Sequence, residues 1–189
     1  MIKIIHTENT ESRTFGWVQN PSNFRSLCDV VAVFDANSAK HKQLVIETIP
    51  KLVLPSDGQD ELLSALNSRP LKVKYAHLKG TAFTPRSSAR CNGIIQATVK
   101  GQGAKRFVDD WSADGFVRWA HCLGFIAYDY ATDTFSITES GISLSEAIND
   151  DGGDDLHEAE KAILVEAMLA YPETECQEHF TIFFKNLPK

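Results

Sequence analysis

Residues 111–140 read WSADGFVRWAHCLGFIAYDYATDTFSITES, and the fold turns on how that stretch is parsed. Ser112 is a good N-cap, and Phe116, Val117, Ala120 and Leu123 recur at spacings that share one face of a helix over 113–123. Gly124 follows, and glycine there closes a helix in the left-handed conformation. Phe125–Tyr130 and Thr134–Thr138 are both β-prone, with Ala131-Thr132-Asp133 as a short turn, so a hairpin is expected. Thr138-Glu139-Ser140-Gly141 then opens a helix that runs to about Ala147. With a short helix and a loop in front, the order is helix, loop, helix, hairpin, helix. A winged helix-turn-helix reads this way, and its helix before the hairpin presents its N-terminal end to the major groove. A plain helix packed on a hairpin has the same order, so the pattern alone leaves both open. The expected class is mainly α with a small β-hairpin.

Upstream, Ser22 to Phe34 carries Phe24, Leu27, Val30, Val31 and Phe34 at helical spacing, with Ser22 as cap and Asn37-Ser38 as its end. Gln59 to Asn67 predicts a second helix with Leu62, Leu63 and Leu66 inward, stopped by Arg69-Pro70. Ser88 to Thr98 predicts a third, on Cys91, Ile94, Ile95 and Thr98, followed by the basic, glycine-rich KGQGAKRFVDD. Downstream, residues 149–155 (NDDGGDD) cannot form a core and predict an acidic linker. Leu156 to Tyr171 is amphipathic again, with Leu156, Ala159, Ile163, Val165, Ala167, Met168 and Leu169 as its apolar set, and Pro172 ends it. The expected organisation is a winged-helix domain with an N-terminal arm over 1–148, the linker over 149–155, a helix over 156–172 and a tail over 173–189.

The chain has 189 residues, enough for one domain with a core. No apolar run approaches the roughly 20 residues of a membrane span, and the N-terminus turns polar too soon for a signal peptide. Cys28, Cys91, Cys122 and Cys176 are scattered singly, which argues against zinc and disulfides and for a reducing cytoplasm. The net charge of −6 hides an asymmetry. Residues 1–128 carry 16 Lys/Arg against 11 Asp/Glu, and residues 129–189 carry 3 against 14. From Arg69 to Arg106 there are nine basic residues and no acid. An acid-free run of this kind suits a surface that meets phosphates, and Lys79, Arg90, Lys105 and Arg106 within it are candidate phosphate contacts. A solvated basic face has the same composition.

No catalytic constellation emerges. There is no phosphate-binding glycine loop and no nucleophile elbow, and Asp109 and Asp110 lack the converging acid and lysine of a metal-dependent nuclease. His157 and Glu160 share a helix face as an ordinary surface pair. What remains is binding. Amides pair bidentately with adenine, arginine pairs with guanine, and an apolar ring packs on the thymine methyl. Gln19 and Asn20 in the arm TFGWVQNP (14–21), Arg86 in the basic loop and Trp111 at a helix start are residues of those kinds. Each has a plain alternative: a turn at Gln19-Asn20-Pro21, a solvated Arg86, a core Trp111.

RTFGWVQNP (13–21), VFDANS (33–38), CNGIIQAT (91–98), DDWSADGFVRWAHCLGFIAY (109–128) and EKAILVEAMLAYP (160–172) together resemble the first recognition subdomain of the FokI restriction endonuclease family. That resemblance implies a type IIS enzyme. Such enzymes bind a short asymmetric site in double-stranded DNA through N-terminal helix-turn-helix-like subdomains. They cut at a fixed distance with a separate Mg²⁺-dependent C-terminal domain. It further implies that Gln19, Asn20, Arg86 and Trp111 lie at the bases, with Phe15 and Trp17 holding the arm. No cofactor is expected in this chain, Mg²⁺ belonging to the cleavage domain, and the expected partners are duplex DNA and further recognition and cleavage domains, without a membrane. The tail over 173–189 does not match the family, and the loop over 103–108 is shorter than its pattern, which leaves the register of Lys105 and Arg106 open. A stand-alone winged-helix regulator and a truncated remnant of a restriction enzyme are the competing readings.

Overall fold

The computed structural model describes residues 24–52, 56–79, 93–99, 110–148 and 155–170. These form a mainly helical fold with a small antiparallel sheet. Helix α1 (Phe24–Val33) is its axis: Leu27, Cys28, Val30, Val31, Ala32 and Val33 are all buried. A helix buried on so many sides must be covered by several neighbours, and α1 packs against the helices named below as α2, α5, α6 and α7. The expected cap, Ser22, lies outside the described residues.

Asn37-Ser38 does more than end the first helix. The chain leaves α1 after Val33, and Ser38 starts α2 (Ala39–Gln43) as its N-cap. The Ser38 hydroxyl accepts from the His41 amide at 3.0 Å and donates to the Ala32 carbonyl at 2.6 Å, so one side chain finishes one helix and begins the next. His41 is buried, and its Nδ1 lies 2.7 Å from the Val33 carbonyl. A carbonyl only accepts, so Nδ1 carries the proton there. From α2 the chain widens into a π turn over Leu44–Thr48 and tightens into a 3₁₀ turn over Ile49–Lys51.

Helix α3 (Ser56–Asn67) follows the expected pattern, with Leu62 and Leu66 buried and Leu63 half-buried. Next come the two-residue strand β1 (Val73–Lys74) and the short helix α4 (Tyr75–Lys79). The helix expected over 88–98 is described only as α5 (Ile94–Thr98). Gly93 before it is extended (φ −115°, ψ 163°), so the helix does not run back through that residue. Cys91 lies outside the described residues.

Helix α6 (Asp110–Cys122) starts earlier than expected. Ser112 is therefore inside its first turn and is not the N-cap. Phe116, Val117, Ala120 and Leu123 are buried as expected, joined by Trp119. At the far end Gly124 adopts φ 77°. Its amide donates to His121 and that of Phe125 to Ala120, both at 3.0 Å, the paired bonds of a Schellman motif.

Strands β2 (Ile126–Asp129) and β3 (Thr134–Ile137) form the hairpin, with Ile126 opposite Ile137 and Asp129 opposite Thr134. The hairpin is not alone: β1 pairs antiparallel with β3, giving three strands in the order β1-β3-β2. Helix α7 (Glu139–Ala147) then begins at Thr138, whose hydroxyl accepts from the Gly141 amide and donates to the Gly124 carbonyl at 2.6 Å. One threonine thus ties the end of α6 to the start of α7.

Helix α8 (Glu158–Ala170) corrects the expectation for its inward face. The buried positions are Glu160, Leu164 and Met168, one turn apart, while Val165 and Leu169 are each half exposed at 50%. Glu160 is fully buried, not surface. One of its oxygens accepts from the His157 amide at 2.8 Å, the reach-back half of a capping box. Its carboxylate also forms an ion pair with Arg25 of α1. Arg25 Nε lies 3.7 Å from Asp29, which takes Lys40 at 3.1 Å, so the pair continues into a surface network. The guanidinium pKa is raised: burial opposes the charge, and the hydrogen bond and field of Glu160 outweigh it. Cys28 lies beside this pair, and burial pushes its thiol up to about 12, which makes it an unreactive core side chain. Residues 149–154 of the expected linker lie outside the described residues, and Asp155 at its end is exposed.

Candidate nucleic-acid interface

Among the described residues, no group of three or more His, Cys, Asp or Glu side chains could hold a metal ion. No described helix is long and apolar enough to cross a membrane. The candidate surface has to be built from cations and from the helix ahead of the hairpin.

Two of the eight expected contact residues lie in the described structure. Trp111 sits in the first turn of α6. Lys79 is the last residue of α4. Their helices pack against each other, and both pack on α5. The fold thus brings the end of α4 and the helix that leads into the hairpin into one group. Gln19, Asn20, Arg86, Arg90, Lys105 and Arg106 lie outside the described residues.

Lys79 is held from several directions. Its ammonium lies 5.2 Å from the centroid of the Tyr75 ring, one turn back on α4. Such a cation–π contact contributes roughly 0.5–1 kcal/mol at an exposed site and more when desolvated. Tyr75 in turn leans on Phe135 of β3, with ring centroids 6.2 Å apart. The Lys79 carbonyl accepts from the Gln96 side-chain amide at 2.9 Å. Two residues earlier His77, buried, places its Nε2 2.8 Å from Glu61 of α3. Sequence reasoning passed over Gln96, His77 and Tyr75. The five-residue α4 gives His77 and Tyr75 no measurable period, and Gln96, a polar residue, falls outside the apolar stripe read over 88–98.

Arg118 was also missed. It is exposed on α6, between the buried Val117 and Trp119. It lies two turns beyond Trp111, so the two positions fall near one side of the helix. Its spacing from Trp111 is present in the sequence, but Arg118 lies off the apolar face that the periodicity marks.

The hairpin tip has the opposite character. Asp129 accepts from the Thr132 hydroxyl at 2.7 Å and the Ala131 amide at 2.9 Å, and Lys72 lies 3.7 Å away. These contacts, Thr132 foremost, hold its carboxyl below the usual range. Tyr128 donates to Asp133 at 2.6 Å, and that bond, chiefly, pushes its phenol up to about 12. Asp133 itself takes φ 51°, a conformation aspartate tolerates better than most residues. Tyr130 stands exposed beside this turn, in edge contact with Tyr128 at 4.6 Å. The turn is fixed by its own hydrogen bonds and is acidic, with Lys72 beside it, whereas α4 carries Lys79 of the acid-free segment and α6 carries the exposed Arg118.

Known proteins share this arrangement. The family described as FokI, recognition domain, subdomain 1, matches residues 13–147. The chain is 46% identical over 161 residues to the type II restriction enzyme FokI of Planomicrobium okeanokoites, across 85% of this chain and 27% of that enzyme. It is 29% identical over 172 residues to the type II restriction enzyme StsI of Streptococcus sanguinis, across 90% of this chain and 27% of that one. The solved structure of FokI bound to DNA superposes with a TM-score of 0.69 at 47% identity, over 86% of this chain and 28% of that one. A further solved structure of FokI gives a TM-score of 0.69 at 46% identity, over 84% of this chain and 26% of that one. The chain therefore spans about a quarter of the length of these relatives. Its helices, its small antiparallel sheet and the match over 13–147 place it in the family of the FokI recognition domain, subdomain 1.

Proposed function

We propose that this chain is a duplex-DNA recognition module of a type IIS restriction endonuclease, acting in the cytoplasm and without a cleavage centre of its own. The observation that carries the proposal is its likeness, at 47% identity and a TM-score of 0.69, to FokI bound to DNA. Two features of the chain agree with it. The segment from Arg69 to Arg106 holds nine basic residues and no acid. The strand order β1-β3-β2, with α4, α5 and α6 between β1 and the hairpin, supports the winged helix-turn-helix reading.

On this assignment α6 is the recognition helix, and Trp111 in its first turn meets a base or supports the helix end there. Gln19, Asn20 and Arg86 supply the other base contacts, and Lys79, Arg90, Lys105 and Arg106 the phosphate contacts. Arg118 joins them from the same side of α6. The short asymmetric site is completed by further recognition domains, and cutting belongs to a Mg²⁺-dependent domain elsewhere in the enzyme. Residues 1–148 form the recognition unit, to which α8 is attached.

The test is selection from a pool of randomised duplexes with the purified chain, followed by a salt titration on the enriched and the random DNA. A short asymmetric sequence is expected to be enriched, and affinity should fall steeply with salt, at a log–log slope of about −0.9 per phosphate contact. Failure to enrich any sequence, or Mg²⁺-dependent cutting by the chain alone, would overturn the corresponding half of the proposal.

A further inference from the structure

We infer that Gln96 and Tyr75 are positioning residues that aim Lys79 at the DNA backbone, an inference that rests on Lys79 meeting phosphate as proposed above. Helix α4 has five residues. Isolated helices shorter than about 12–15 residues are marginal in water, so its place and direction are imposed by its neighbours. Three side chains from three other elements take hold of it. Glu61 of α3 bonds His77, Phe135 of β3 meets the Tyr75 ring, and Gln96 of α5 bonds the Lys79 carbonyl.

Gln96 is the unusual one. It is 0% exposed and stands between Ile95 and Ala97, both buried. A buried amide is unfavourable unless its hydrogen bonds are made, and leucine would fill similar space without that requirement. Its amide goes to the final residue of α4, where the last-turn carbonyls have no partner inside the helix. The bond therefore fixes the backbone of residue 79 from another element. Tyr75 fixes the other end of the same residue, with the Lys79 ammonium 5.2 Å from its ring centroid. A lysine held at carbonyl and ammonium loses less side-chain freedom when it meets a phosphate.

The consequence separates from mere stability. Gln96→Leu and Tyr75→Leu leave every charge in place. If each lets Lys79 drift from its phosphate, each removes one released counterion without removing a cation. The experiment uses the full 189-residue chain and a short labelled duplex of random sequence. Binding is followed by fluorescence anisotropy across a salt series. Lys79→Ala is expected to flatten the log–log slope by about one contact, close to 0.9. Gln96→Leu and Tyr75→Leu are expected to flatten it by a similar amount, and to add nothing further when combined with Lys79→Ala. Tyr75→Phe, which keeps the ring, should retain the slope of the natural chain. A variant that only lost folded protein would raise the apparent dissociation constant by one factor across the salt series and leave the slope alone. A natural slope in Tyr75→Leu or in folded Gln96→Leu, with Lys79→Ala flattened, overturns the inference and spares the phosphate assignment. An unchanged slope in Lys79→Ala overturns the phosphate assignment and the inference with it. Should Gln96→Leu fail to fold, the Tyr75 pair of variants decides.

Discussion

At Gly141 the absence of a side chain lets α7 start against the end of α6. A Cβ there would run into the Phe125 carbonyl oxygen and stand 2.8 Å from the Ile137 side chain. Phe125 is backbone at the Schellman corner and accepts from the Thr138 amide at 3.1 Å, so it has little room to retreat. Overpacking typically destabilises by about 1–3 kcal/mol, and Gly141→Ala is expected at the top of that range. Urea denaturation measures it; a loss below about 1 kcal/mol would show that the corner yields more readily than its bonding implies. Sequence alone marked Gly141 as part of a helix start. It could not show the crowding, because the crowding atoms belong to residues that only the fold brings near. Gln96 and Glu160 were illegible for the same reason. Each is polar, Glu160 was read as surface and Gln96 carried no reading, and each is buried against a partner from another element.

Elements with one steady period were readable. α1, α3, α6 and the hairpin fall close to where their spacing puts them. The stretch over 39–51 was not, because it passes from α through π to 3₁₀ geometry. Leu44 and Ile49 are buried and Ile46 is exposed, a set that no single periodicity produces. Strand β1 has two residues, too few to alternate, and exists by pairing with β3. In α8 the apolar residues outnumber the buried places, and the ion pair decides which face turns inward. This yields a second expectation. Glu160→Ala leaves Arg25 without its main partner, and breaking such a buried pair destabilises by about 3–5 kcal/mol, with Asp29 near enough to keep the value at the low end. Arg25→Leu combined with Glu160→Leu should recover part of that loss, since no uncompensated charge remains. Denaturant midpoints of Glu160→Ala and of the double variant test it. A double variant weaker than Glu160→Ala would mean that the pair contributes geometry that apolar packing cannot replace.

The whole chain divides its charge between a basic part before residue 129 and an acidic part after it. The exposed Glu158 and Glu166 of α8 would repel a DNA backbone, so the proposed complex is expected with α4 and α6 toward the duplex and α8 away from it. The division of labour within the basic part can be tested as a whole. Amides carry pattern without charge, so Gln19→Ala with Asn20→Ala should lower the ratio of specific to random binding and leave the salt slope unchanged. Lys105→Ala should lower both kinds of binding together and flatten the slope by about 0.9. A salt titration of both variants on both DNAs separates the roles; a flattened slope in the arm variant with its ratio intact would assign the arm to the backbone. Gln19, Asn20 and Lys105 are proposed by residue type and by family likeness, and they lie outside the described residues. Their geometry was not legible in the sequence, because arms and loops carry no periodicity from which a face can be read.

The family match stops at residue 147, yet the carboxylate that neutralises Arg25 is supplied by residue 160. The border of that match therefore falls short of the physical closure of the fold, while the likeness to FokI, over 161 residues, runs past it. Anyone grafting the module onto a foreign effector should carry the chain through Ala170, because a cut at residue 147 would strand a guanidinium in the flank of the central helix.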